Sequence, residues 1–104
     1  MINQKPTQQV LKWLLTTTRG GNTRTQILKT LKQTPQNTNQ LATQLKKSYK
    51  TISHHLTVLE KHKLVIPMGD NYGTTYFLSQ TMEENYTLFQ EIINTKKTIK
   101  MVQK

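Results

Sequence analysis

Two short helical patterns with almost nothing between them, followed at once by two β-prone runs around a glycine turn, leave this chain few ways to fold. The first pattern is Leu41, Ala42 and Leu45, and the second is Ile52, Leu56 and Leu59. Only Lys46 and Lys47 separate them before Ser48, a residue suited to cap the helix that follows. Helices joined this tightly must cross close together. Ala42 is small enough to stand at the crossing, and Ile52 supplies the apolar contact from the second helix. That is the packing demand of a helix-turn-helix. Such a unit sets the N-terminal half of its second helix against the DNA major groove, where short polar side chains reach base edges.

The remaining elements follow from periodicity and punctuation. A first helix is expected over about Pro6–Thr18, with Val10, Leu11, Leu14 and Leu15 on one face and Trp13 pointing elsewhere. Arg19-Gly20-Gly21 stops it, the glycines providing a left-handed cap. Asn22 or Thr23 can cap a second helix that runs to about Gln33 and buries Ile27, Leu28 and Leu31. Beyond Pro35, Asn37 followed by Gln40 has the spacing of a capping box for the third helix. The fourth extends from Ser48 to about His62. Strands are predicted over Leu64–Met68 and Thr74–Ser79, joined by Gly69-Asp70-Asn71-Tyr72-Gly73. A fifth helix is predicted over Thr81–Lys100. The fold class is mainly α with a small β-hairpin, in the order four helices, two strands, one helix. Residues 1–104 are expected to form a single domain, with 19–80 as its central unit and 6–18 and 81–100 as terminal helices.

Charge narrows the partner. Lys and Arg outnumber Asp and Glu by 15 to 5, a formal charge of +10. Residues 1–80 hold eleven of the cations against only Glu60 and Asp70. Such an excess in a small domain favours a polyanion, whose condensed counterions are released by Lys and Arg. With no cysteine, a disulfide framework, a thiolate zinc site and a cysteine nucleophile are excluded. His54, His55 and His62 lack metal-ligand spacing, so no metal is expected. A phosphate-binding glycine loop is missing and carboxylates are few, so neither enzymatic activity nor a cofactor is expected. Apolar runs are too short to span a bilayer, and the N-terminus lacks the apolar core of a signal peptide. A cytoplasmic protein with no membrane partner is the expectation.

At about 100° per residue, the fourth helix divides cleanly. Ile52, His55, Leu56, Leu59 and Lys63 share a mainly apolar face, which makes His55 a structural histidine rather than a ligand. Lys50, His54, Thr57 and Lys61 form an opposite stripe with Lys47 beside it. Lys50, Thr51, Ser53 and His54, with Thr57, are the candidate base-edge readers. Tyr49 either contacts a phosphate or packs on the third helix. Ser48 can cap the helix while its neighbours' amides meet a phosphate. Arg19, Arg24, Lys46, Lys47 and Lys61 are candidates for phosphate contact, as are Thr38 and Asn39. Asn71 and Tyr72 occupy the tip of the hairpin.

Ile52-Ser53-His54-His55-Leu56-Thr57-Val58-Leu59 followed by Leu64-Val65 resembles the recognition helix and exit strand of winged helix-turn-helix regulators of the ArsR type. Thr75-Tyr76-Phe77-Leu78-Ser79 looks like that family's second wing strand. Arg19-Gly20-Gly21 with Arg24, and Tyr49-Lys50-Thr51, are similar to its small cysteine-free archaeal versions. The resemblance covers about residues 19–80 and implies a dimeric transcription factor that binds an inverted repeat. The chain departs from the pattern at Lys46, where the family usually has glycine. Asn39, Gln40 and their neighbours replace the family's metal-sensing cysteines near the third helix, and the wing tip lacks the arginine often found there. Metal sensing is therefore not implied.

The last helix carries Met82, Tyr86, Phe89 and Ile93 on one stripe and Leu88, Ile92 and Ile99 on another about 100° away. Either both serve one broad core face, or the second meets a partner. With Trp13 otherwise unplaced, a homodimer interface built from Trp13, Leu88, Ile92 and Ile99 is the expectation. A dimer cavity between the first and last helices could hold a small apolar effector, which nothing identifies. The leading function is a dimeric, sequence-specific double-stranded DNA-binding regulator, acting as a repressor. The alternatives are a winged-helix module that docks on protein in a larger assembly, and non-specific nucleic-acid coating, RNA included.

Overall fold

The computed structural model describes residues 4–17, 19–70 and 73–102. Its elements are α1 (Gln4–Lys12) with a π-helical turn (Trp13–Thr17), α2 (Gly21–Gln33), β1 (Gln36–Asn37) and α3 (Thr38–Leu45). Then come α4 (Tyr49–Lys61), β2 (Val65–Asp70), β3 (Gly73–Leu78), α5 (Gln80–Glu84) and α6 (Tyr86–Val102). The chain is mainly α with a small antiparallel sheet, as its periodicity predicts. One apolar core unites the elements, with Leu11, Leu14, Ile27, Leu41, Leu56 and Phe89 all fully buried.

The first helix ends differently from its expected plain α stop. Five residues of wider π winding follow Lys12. This turn keeps Leu14 and Leu15 in the core while leaving Trp13 52% exposed. Gly20, at φ 91°, makes the reversal into α2 and stands at its N-cap. No side chain caps this helix, and Asn22 and Thr23 lie inside its first turn. The pair of glycines has two separate jobs. Gly20 supplies the left-handed backbone, whereas Gly21 is helical and lacks a Cβ that would strike the Leu15 carbonyl.

Arg24 corrects a sequence expectation here. Expected at a phosphate, it faces inward instead, 7% exposed, and its Nη1 donates to the Leu14 carbonyl at 3.0 Å. The last carbonyls of a helix have no continuing turn to meet them, and the guanidinium reaches one of these from α2. Burial draws the Arg24 pKa below its ordinary value.

α3 has the expected capping box. The Gln40 amide donates to Asn37 Oδ1 at 2.7 Å, and the Asn37 amide donates to Gln40 Oε1 at 2.8 Å. Lys46 then adopts φ 59°, ψ 46°, the left-handed conformation that glycine usually takes there, and Lys47 N–H donates to the Ala42 carbonyl at 3.0 Å. Ser48 caps α4 by accepting the Thr51 amide at 3.0 Å. At the other end Lys63, expected on the apolar face of α4, lies beyond it in a second left-handed turn, φ 63°.

Sequence periodicity misses β1 because two polar residues have no period. Gln36 pairs with Tyr76 and Asn37 with Thr75, giving the sheet order β1-β3-β2. The extended backbone that an N-cap residue requires is also strand-like, so Asn37 serves both purposes. The first hairpin strand runs two residues further than predicted and the second starts and ends one residue earlier, with Asp70 opposite Gly73. Along β2, Val65 turns inward while Ile66 and Met68 face out. Asn71 and Tyr72 lie outside the described residues.

The single last helix of the prediction is two helices. Asn85, buried between them, donates from Nδ2 to the Thr81 carbonyl at 2.8 Å, a local bond that competes with continued helix. Lys32 of α2 lies 2.6 Å from Glu83 and 5.0 Å from the centre of the Tyr86 ring, tying α2 to this corner. Both groups of the pair are well exposed, so its contribution is small.

Two outcomes are expected. Lys46→Gly should stabilise the protein by about 1 kcal/mol in urea unfolding, because it removes the left-handed Cβ clash. Arg24→Leu should destabilise it by about 1–3 kcal/mol, because the Leu14 carbonyl loses the guanidinium donor in a buried site.

Candidate nucleic-acid interface

The inward face of α4 determines what its outward face presents. Ile52, Leu56 and Leu59 are fully buried, and Ala42 of α3 is buried beside them. With those positions held, Tyr49, Lys50, Thr51, His54, Thr57 and Lys61 are all exposed. Tyr49 is 56% exposed, which favours the reading in which it is available to a partner over the one in which it packs on α3. Ser53 is partly buried at the side of the stripe. Thr57 is exposed and its Oγ1 donates to the Ser53 carbonyl at 3.0 Å, so its hydroxyl proton is spent within the helix and its oxygen is left as an acceptor. Ser48 Oγ donates to Thr51 Oγ1 at 2.9 Å, which leaves the Thr51 proton free to be given elsewhere.

The flanking cations fall into two groups. Lys46, Lys47, Lys61 and Arg19 are exposed, and Asn39 is exposed at the start of α3 with Thr38 partly buried beside it. Arg24 is not among them, for the reason given above. α4 itself carries one carboxylate, Glu60, at its far end.

A notch of about 330 Å³ lies where three elements meet. Thr38 and Asn39 of α3, Tyr49 and Ser53 of α4, and Thr74 and Tyr76 of β3 line it. Thr74 and Tyr76 were not among the sequence candidates. The signal was present, since they alternate along β3, but only the β1–β3 pairing brings them beside α3. Burial, then Glu60 and Tyr49, push the Tyr76 phenol pKa above its ordinary value, so it is a neutral donor at any physiological pH.

His55 faces inward as its helical position predicts, 7% exposed. It is not fully satisfied there: Nδ1 has no hydrogen-bond partner among the described residues. The His54 ring meets it edge-on with centroids 5.4 Å apart.

The residues expected at a dimer interface separate. Trp13 is exposed, with its ring 5.9 Å from that of His62. Ile92 is a correction: at 6% exposure it belongs to the chain's own core beside Phe89 and Ile93, and Leu88 packs partly against the same core. At this level the two apolar stripes are one broad face, because a small domain needs both to cover its core. Ile99 lies in α6, and its side chain is outside the described set. Among the described residues no group of three or more His, Asp or Glu could hold a metal ion, and no helix is long and apolar enough to cross a membrane.

Comparison with known proteins agrees with this arrangement. Residues 21–66 match the family described as bacterial regulatory proteins, arsR family. No curated protein matches the sequence significantly. Among solved structures, the transcriptional regulator BldR from Sulfolobus solfataricus superposes with a TM-score of 0.69 at 14% identity, over 96% of this chain and 74% of that one. The homodimeric winged helix-turn-helix DNA-binding domain of Mb0332 from Mycobacterium bovis, a possible ArsR-family regulator, gives 0.66 at 19% identity, over 90% and 88%. A mutant of MepR from a multidrug-resistant Staphylococcus aureus clinical isolate gives 0.64 at 20% identity, over 97% and 73%. At these identities the likeness is one of fold. Residues 21–66 of this chain, from the start of α2 into β2, are thus similar to the arsR-family helix-turn-helix, and the fold around them is that of the winged-helix structures on which the chain superposes.

Proposed function

We propose that this protein is a transcriptional regulator that binds double-stranded DNA by laying α4 in the major groove. One observation carries the reading. The face of α4 opposite Ile52, Leu56 and Leu59 is open, polar and cationic over its N-terminal half. Lys50, Thr51, Ser53 and His54 are the base-edge readers, with Thr57 offering an acceptor. Ser48 and Tyr49 begin the helix at the height of the phosphates. Lys46, Lys47, Lys61 and Arg19 neutralise the backbone on either side, and Thr38 and Asn39 reach it from α3. Asn71 and Tyr72, the candidates at the tip of the hairpin, would meet the neighbouring minor groove. Their uncharged side chains give that contact a minor share of the affinity.

The protein acts as a homodimer on an inverted repeat. Trp13 supports this reading, as a large apolar side chain left exposed beside the terminal helices. The similar Mb0332 domain, which is homodimeric, supports it too. Leu88 and Ile99 extend the interface, whereas Ile92 serves the core. Two recognition helices would then stand about one DNA turn apart, ~34 Å. Occlusion of a promoter makes such a dimer a repressor, as nothing on the described surface resembles an activating patch.

Selection of bound duplexes from a random pool, read at two salt concentrations, should enrich an inverted repeat. Lys50→Ala and His54→Ala should each weaken the enriched duplex by about 1–3 kcal/mol and spare random DNA. Equal losses on every sequence would instead favour non-specific coating. For the interface, Trp13→Glu should sediment as a folded monomer with poor duplex affinity. A wild-type protein that is already monomeric in the centrifuge would remove the dimer from the proposal.

A further inference from the structure

His55 sits on the recognition helix yet takes no part in its outer stripe. Its ring is closed in at 7% exposure, against the Gly20 turn, so near that a Cβ on Gly20 would come within 2.6 Å of Cε1. Nδ1 has no hydrogen-bond partner among the described residues. The charges that act on the ring come from three places: Arg24 on α2, His54 on its own helix, and Lys47 in the link before α4. Each acts to disfavour a charge on the ring, and no carboxylate is among them.

This socket suits one protonation state. A neutral imidazole that carries its proton on Nε2 leaves only a lone pair at Nδ1, an acceptor unmet. A protonated ring would place there an N–H with nothing to receive it, and a full charge beside a buried guanidinium. The cost falls on the element that holds α4, since His55 shares its face with Ile52, Leu56 and Leu59.

We infer that the His55 socket is a proton-operated latch on the recognition helix. Neutral His55 seats α4 against α2 and the Gly20 turn. Protonation in mild acid expels the ring, loosens the N-terminal half of α4 and releases DNA. The DNA step rests on the function proposed above, whereas the latch itself does not.

The direction of the pH effect follows from the site. Burial first, then Arg24, His54 and Lys47, holds the His55 pKa below the ordinary 6.5. Above that value neither the folded nor the unfolded chain binds the proton, and the full stability is present. As pH falls below it, the unfolded chain takes up the proton first, so stability declines until the folded-state pKa is passed. Charge alone predicts the reverse for DNA. Protonating histidines adds positive charge to a basic protein and should strengthen its grip on phosphates.

Two measurements test the latch. In the free protein, the His55 ring is followed by NMR from about pH 7.5 to about pH 5, together with amide exchange along α4 corrected for intrinsic rates. Protection from Ile52 to Leu59 should fall by about tenfold or more in step with His55 titration. If His55 titrates while α4 keeps its protection, the latch is wrong, and this holds whether or not any variant folds. In the second arm, anisotropy of a fluorescein-labelled mixed-sequence duplex should show affinity dropping on acidification, with His55→Gln losing the drop. Affinity that rises or stays level in the wild type overturns the release step. A duplex that never binds at any pH, beside α4 loosening as described, supports the latch and defeats the proposed function instead.

Discussion

Everything the outer surface of α4 can do depends on how closely α4 is held to α3. Ala42 and Ile52 are both buried in the core that α3 and α4 share, and Lys46 turns the backbone left-handed so that Ser48 can cap the next helix two residues later. A larger residue at Ala42 would push α4 outward. A slip at the Ser48 cap would rotate it by about 100° per residue, carrying Leu56 outward and Lys50 toward the core. The left-handed lysine is strained, and the chain tolerates it because the Ala42 carbonyl takes the Lys47 amide while three fully buried side chains hold α4 in place.

A second constraint operates at the other end of the same packing. The π turn, Gly20, Gly21, Arg24 and His55 form one contiguous arrangement. The first helix closes on the π turn, Arg24 reaches in to its Leu14 carbonyl, Gly21 allows α2 to lie on Leu15, and Gly20 leaves space for the His55 ring. The terminal helix that carries Trp13 is thereby mechanically continuous with the recognition helix. The short β1 plays a comparable part for the wing. It pairs with β3 and passes directly into the α3 capping box, and Gln36 Nε2 donates to Gln44 Oε1 of α3 at 2.9 Å. The hairpin cannot swing without disturbing the start of α3.

The caps and the burial pattern of α3 and α4 are legible in the sequence because those signals are local. Asn37 with Gln40, Ser48 with Thr51, and the recurrence of Ile52, Leu56 and Leu59 all act within about one helical turn. The outer stripe of α4 is legible too, since a helix whose inner face is known has its outer face fixed by arithmetic. Arg24 is not, because an arginine in a basic sequence carries no mark that it will be buried. Only the end of the first helix, ten residues earlier, presents the carbonyl that recruits it. Asn85 escapes notice for a related reason, since a side chain that breaks a helix looks like one that decorates it.

What the residues decided alone was therefore the main helices and the hairpin, the caps of α3 and α4, the face of α4 turned outward and the excess of positive charge. Tertiary structure decided which polar groups were taken inside, that Gln36 and Asn37 would become a strand, that Ile92 would serve the core, and that Tyr76 would stand beside Ser53. Caps and periods are settled by neighbours along the chain. Burial is settled by whatever the chain brings back from a distance, and that is fixed only once the core has closed.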